Sequence, residues 1–286
     1  MIDDRAIGVF DSGVGGLTVL RAIHDRYPDQ RTIYVGDLAA FPYGPKPRSV
    51  VQARALAMAG YLDSRDIKAL VIACNTATSA ALDEITHAAR CPVIGVVEPG
   101  ARAALSLSAT QTIGVAATEG TVQSGAYSRA IRSISHNARV FEVSCGELVD
   151  LIETGESHSP AVKSIVAGVV DNLVRGQGCD TIILGCTHFP LVKREFQRAA
   201  GDSIAVLDSA DATAKVLAEA LNGSIDIVAP DKGQLLIHEF LVTAHADAFV
   251  SQARTLFGEH ITASVVEIDQ LGRSALSMAA AAQSSP

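Results

Sequence analysis

Short runs that are apolar at every residue alternate along this 286-residue chain with stretches whose apolar residues recur at helical spacing. A strand with one wet face alternates polar and apolar residues, whereas a strand that is apolar throughout must be covered on both sides. The pattern predicts strands at 7–10, 32–35, 70–73, 93–97, 113–116, 140–143, 181–184, 204–207 and 235–241. Helical periods at 17–27, 50–62, 76–87, 162–174 and 212–221 lie between them. Together they predict an α/β protein with mostly parallel sheets flanked by helices. The length suits two modest domains, each with a proper core. The Ala/Ser-rich residues 279–286 are expected to fray.

The chain also reads as duplicated. Ile7-Gly8-Val9-Phe10-Asp11-Ser12-Gly13 is echoed by Ile113-Gly114-Val115-Ala116-Ala117-Thr118-Glu119. Leu70-Val71-Ile72-Ala73-Cys74-Asn75-Thr76 is echoed by Ile182-Ile183-Leu184-Gly185-Cys186-Thr187-His188 at nearly the same offset. Two matching units at one offset predict two similar domains. The expected division is 1–98 plus about 208–286 for the first domain and 99–207 for the second, with the first boundary near Glu98-Pro99-Gly100.

Composition narrows the function. A net charge of −8 argues against a broad nucleic-acid surface, and scarce aromatic residues (5 %) leave no stacking platform for bases. No apolar run approaches a membrane span. The opening Met1-Ile2-Asp3-Asp4-Arg5 carries no apolar leader, so a cytoplasmic protein is expected. Five widely spread cysteines fit free thiols better than a disulfide framework.

Ligands of open α/β sheets bind at the carboxyl ends of the strands, where helix N-termini present amides and positive dipole. Asp11-Ser12-Gly13, Asp37 with Pro42-Tyr43-Gly44, Cys74-Asn75-Thr76 and Cys186-Thr187-His188 all fall at such ends. A thiol between a strand and a helix N-terminus is expected to titrate low, from about 8.5 to roughly 3.5–7.5, and so to exchange protons near neutrality. Cys is often mere core filling, and Cys91, Cys145 and Cys179 are read that way. The repeated context of small polar neighbours marks Cys74 and Cys186 as functional. His188, two residues beyond Cys186, is placed to tune it electrostatically. A zinc site on Cys74, Cys186 and His188 is an alternative, although the short-range ligand spacing of zinc sites is missing. Gly13-Val14-Gly15-Gly16 matches neither a dinucleotide fingerprint nor a P-loop. It is expected to let the backbone approach a small ligand, leaving Asp11 free to act.

These segments resemble the glutamate racemase family of the aspartate/glutamate racemase superfamily. The resemblance rests on Phe10-Asp11-Ser12-Gly13-Val14-Gly15-Gly16-Leu17, Gly36-Asp37, Pro42-Tyr43-Gly44, Ala73-Cys74-Asn75-Thr76-Ala77, Glu98-Pro99-Gly100 and Gly185-Cys186-Thr187-His188-Phe189-Pro190. It weakens beyond Asp208, where Val242-Thr243-Ala244-His245-Ala246-Asp247 replaces the family's Thr-Thr-Gly-Asp-like turn.

The resemblance implies interconversion of L- and D-glutamate, supplying the D-isomer for peptidoglycan, in a cleft between two domains and without cofactor or metal. Cys186 would remove the α-proton of L-glutamate and Cys74 that of D-glutamate. Asp11 and His188 would assist the thiols, with Glu153 as a further acidic helper. Asp11, Ser12, Tyr43, Gly44, Asn75, Thr76, Thr118, Thr187 and His188 would line or hold the ligand. The implied partners are glutamate and a second copy of the chain, with neither nucleic acid nor membrane. An aspartate or hydantoin racemase, or a non-catalytic amino-acid-binding protein on the same scaffold, stands as the alternative.

Overall fold

The computed structural model describes residues 3–221, 238–258 and 261–267. The expected strand at 235–241 is therefore described only from His238, and the tail at 279–286 lies outside the described residues.

Strands β1 (Ile7–Asp11), β2 (Thr32–Gly36), β3 (Ala69–Ile72) and β4 (Val93–Gly95) alternate with helices α1 (Leu17–Arg26), α2 (Arg48–Ser64) and α3 (Asn75–Ala88). Helix α4 (Val97–Leu107) then leads to β5 (Thr112–Ala117), α5 (Glu119–Ser124), α6 (Ala126–Ile134), β6 (Arg139–Ser144), α7 (Glu147–Glu153) and α8 (Pro160–Val170). The chain continues through β7 (Thr181–Gly185), α9 (Lys193–Ala200), β8 (Ala205–Asp208) and α10 (Ala210–Ala220). Beyond residue 237 come β9 (His238–Val242), α11 (Ala246–Phe257) and β10 (Ala263–Val265).

Among the described residues all strand pairings are parallel, in two sheets: a six-stranded one ordered β10-β9-β2-β1-β3-β4 and a four-stranded one ordered β6-β5-β7-β8. The order β2-β1-β3-β4 recurs as β6-β5-β7-β8, so the two sequence echoes are one topology used twice. Every residue of β1, β2, β3, β5 and β7 is buried, which is why these strands read as unbroken apolar runs. Each sheet has an apolar cluster on both faces. Fully burying one such Val, Ile, Leu or Phe is worth about 1.5–3 kcal/mol. After β8 the chain returns to the first sheet: α10 packs with α1 through Ala214 and Leu217, and β9 pairs with β2.

Local chemistry moves several boundaries. Ser159 caps α8, its Oγ accepting from Val162 N at 3.3 Å with Pro160 in the first turn, so this helix starts before 162. It ends at Val170 and continues as a π-helical turn, Asp171–Gly176. The expected strand 93–97 stops at Gly95, and Glu98-Pro99-Gly100, the expected first boundary, lies in the first turn of α4. Pro99 is tolerated there because a first-turn N–H has no intrahelical acceptor to lose.

Candidate active site

Equivalent strands of the two sheets end at the two cysteines. β3 runs into Cys74, the N-cap of α3, whose Sγ accepts from Ala77 N at 3.5 Å and lies 3.7 Å from Ser12 Oγ. β7 runs into Cys186. Here the following element is a short 3₁₀ turn (Phe189–Val192) before α9, so the expected helix N-terminus is not built directly behind this thiol. All five cysteines are free, as their spacing predicts.

Both thiols line one cavity of about 320 Å³, together with Ser12, Tyr43, Gly44, Asn75, Thr76, Thr118, Thr187 and His188. That volume suits a small metabolite. Among the described residues no Lys or Arg lines these walls, which leaves neutral donors and His188 to meet an anion. One donor is waiting: Asn75 Oδ1 accepts from Tyr127 Oη at 2.7 Å, while its buried Nδ2 has no partner among the described residues. Thr76, Thr118 and Thr121 form a hydroxyl triangle with edges of 2.9, 3.1 and 3.3 Å across the junction of the halves. Gly120 N donates to Gly44 O at 3.0 Å, a main-chain bridge across the same junction. Tyr43 lines the cavity, and its hydroxyl donates to Asp37 at 2.6 Å. Asp37 is also held by Arg54 and by the Thr243 hydroxyl, so it anchors the wall.

Two expected participants stand behind the wall. Asp11 is fully buried, does not line the cavity, and is not free: its Oδ2 accepts from Gly13 N at 3.1 Å and Gly16 N at 2.9 Å. The glycines serve close packing between loops rather than approach to a ligand, since a Cβ on Gly15 would sit 2.5 Å from both His188 Nδ1 and Thr187 Oγ1. Glu153 ends α7 with Oε1 2.6 Å from His188 Nε2, and its Oε2 accepts from Gln252 at 2.9 Å. His188 Nδ1 in turn lies 3.9 Å from Cys186 Sγ.

The electrostatics divide the two sides. Burial pushes the Cys74 thiol well up, the Asp11 carboxylate adds to the rise, and the Ala77 amide opposes it only weakly. The low-titrating thiol expected at this helix start is thus reversed by desolvation. Burial alone would lower His188, but its bonds to Cys186 and Glu153 and the Asp11 charge outweigh that and push it up to about 10. Glu153 is held below its ordinary value: burial raises it, and the His188 and Gln252 bonds overcome the rise. The surroundings of His188 thus favour its protonated form and those of Cys74 the neutral thiol.

Among the described residues no group of three His, Cys, Asp and Glu side chains is placed to hold a metal. No described helix is long and apolar enough to cross a membrane. Tyr127 and Gln252, bonded to Asn75 and Glu153, have partners distant in the chain and carry no local sequence signal. Sequence reasoning also missed Glu147 and Asp150, which line the mouth from one face of α7, as their i, i+3 spacing allows.

Two similar parallel halves each deliver a cysteine from the same strand end into a shared cavity. A family model described as Asp/Glu/Hydantoin racemase matches residues 17–217, and the chain belongs to that family. Within it, the chain is similar to glutamate racemases. It is 37 % identical to the glutamate racemase of Oceanobacillus iheyensis, over 90 % of this chain and 93 % of that protein. The structure resembles a glutamate racemase isoform from Bacillus anthracis with a TM-score of 0.86 at 35 % identity, covering 92 % and 98 % of the two chains. The Francisella tularensis glutamate racemase, solved in complex with D-glutamate, gives 0.82 at 31 % identity, covering 93 % and 99 %.

Proposed function

We propose that this enzyme interconverts L- and D-glutamate by a two-base proton transfer between Cys186 and Cys74, with no added cofactor. The carrying observation is that the two cysteines, from equivalent strand ends of the two halves, line the same cavity. Racemisation needs a base on one face of Cα and an acid on the other. Cys186, as a thiolate beside the His188 imidazolium, takes the α-proton of L-glutamate. The Cys74 thiol gives its proton to the opposite face, and D-glutamate results. Cys186 is then the thiol and Cys74 the thiolate, the state that accepts D-glutamate for the return. Each turnover moves one proton in and one out.

The α-proton is weakly acidic, so charge developing at Cα and the carboxylate needs fixed donors in a site of low dielectric. Asn75 Nδ2 and the hydroxyls of Ser12, Thr76, Thr118 and Thr187 supply them without competing cations. Asp11 and Glu153 act from behind, Asp11 on both Cys74 and His188, Glu153 through His188. The division into 1–98 plus 208–286 and 99–207, a homodimeric state, a cytoplasmic location and supply of D-glutamate for peptidoglycan complete the proposal.

Circular dichroism of either enantiomer with purified protein, without cofactor, tests it, and in deuterated water the product should carry deuterium at Cα. Cys74→Ala and Cys186→Ala should each abolish racemisation; full activity in both would refute the two-thiol scheme. A panel adding aspartate and a hydantoin separates the neighbouring activities.

A further inference from the structure

We infer that Gln252 is a positioning residue for the reaction: donated from the first half, its side-chain amide fixes the Glu153 carboxylate that holds His188 against Cys186. This rests on the two-thiol reading above. Glu153 is the last residue of the seven-residue α7, at a helix C-terminus whose dipole disfavours a carboxylate. Two donors keep it there. His188 Nε2 engages Oε1 at 2.6 Å, and Gln252 Nε2 donates to Oε2 at 2.9 Å, so both oxygens are held and the carboxylate cannot rotate away.

The second donor comes from the other half of the molecule. Gln252 lies on α11, whose Phe249 and Ala253 are buried in the core of the first sheet with Tyr34 and Phe240. α7 instead packs its Leu148, Val149 and Ile152 into the second half beside Cys186. The chain Gln252–Glu153–His188–Cys186 is therefore complete only where α11 of one half meets α7 of the other. A neutral amide suits the position: it orients Glu153 without drawing its charge from the imidazolium, as an Arg or Lys would. The charged or titratable groups acting on His188 are Cys186, Glu153 and Asp11, and Glu153 is the one that Gln252 touches.

Gln252→Leu removes the donor at similar volume, and Gln252→Glu sets a second carboxylate beside Glu153. In each, kcat should fall roughly 3- to 10-fold with KM little changed, the scale of one net hydrogen bond acting through Glu153. The pH profile of Cys186 alkylation by iodoacetamide, followed by peptide mass, should move to higher pH. In a Glu153→Gln background, Gln252→Leu should have no further effect on either readout. A merely structural Gln252 would lower the thermal midpoint and leave the alkylation profile in place. An unmoved profile in both variants overturns the proposal. Absence of glutamate racemisation by the unaltered protein would instead overturn the reading it rests on, and the alkylation profile is measurable in either case.

Discussion

The Tyr127 hydroxyl donates to Asn75 Oδ1 at 2.7 Å, joining α6 of one half to the start of α3 in the other, and this bond turns the Asn75 amide so that its unpartnered Nδ2 is left for a ligand. Tyr127 itself is wholly buried and does not line the cavity. Its contribution is orientation.

Tyr127→Phe should therefore raise KM for glutamate more than it lowers kcat, by roughly 5- to 10-fold, the scale of one net hydrogen bond of about 1 kcal/mol. Asn75→Ala removes the donor itself and should cost roughly 10- to 100-fold in kcat/KM, as for a bond to a charged group. Because the two enantiomers share one equilibrium, both directions must lose kcat/KM equally. Steady-state kinetics from L- and from D-glutamate check both points.

Gly15 packs against Thr187 and His188 of the opposite half. Gly15→Ala would place a Cβ 2.5 Å from His188 Nδ1, and His188 cannot retreat because Glu153 holds its other nitrogen at 2.6 Å. Displacing the imidazole or separating the loops should reduce kcat by about 100-fold or more. The overpacking should cost about 1–3 kcal/mol in urea unfolding. Normal activity in this variant would show that the loops part without consequence.

His188 is raised to about 10 by Cys186 and Glu153 despite its burial. Its folded value lies above its ordinary 6.5, so the stability it contributes is complete below 6.5 and is lost as pH rises through about 10. Glu153→Gln removes one of the groups responsible, so the alkaline limbs of both stability and kcat should move to lower pH. Unfolding midpoints and rates between neutral and strongly alkaline pH test this.

The acid side is governed elsewhere. His24 on α1 stacks on His238 of β9 with ring centroids 3.8 Å apart, and the Thr32 hydroxyl lies 3.2 Å from His24 Nε2 and 3.0 Å from His238 Nδ1. Burial, then the charges of His238 and Arg21, lower His24 to about 3. The unfolded chain takes up a proton at 6.5 that the folded chain refuses, so stability should decline as pH falls from 6.5 toward 3. His24→Asn should flatten that decline in thermal melts at pH 4–6. An unchanged slope would place the acid sensitivity in other groups.

Much of this was legible in the chain. The strands 7–10, 32–35, 113–116 and 181–184 were readable within a residue or two, because burial on both faces imposes an all-apolar run. The short helices α5, α6 and α7 are less legible, since tertiary packing rather than a long period sustains them. The two cysteines, Asn75, Thr76, Thr118, Thr187 and His188, drawn from separate motifs, line one cavity. Asp11 does not join the walls, because the main-chain amides of the following turn claim its carboxylate.

The sequence by itself determined the α/β class, the duplication and the two cysteines, since apolar runs, helical period and repeated motifs are properties of neighbouring residues. The tertiary structure alone decided which distant side chains meet, as Tyr127 meets Asn75 and Gln252 meets Glu153. It also decided the sense in which Cys74 is shifted. A helix start favours a thiolate, but desolvation and the Asp11 charge are set by packing, and in this fold they prevail.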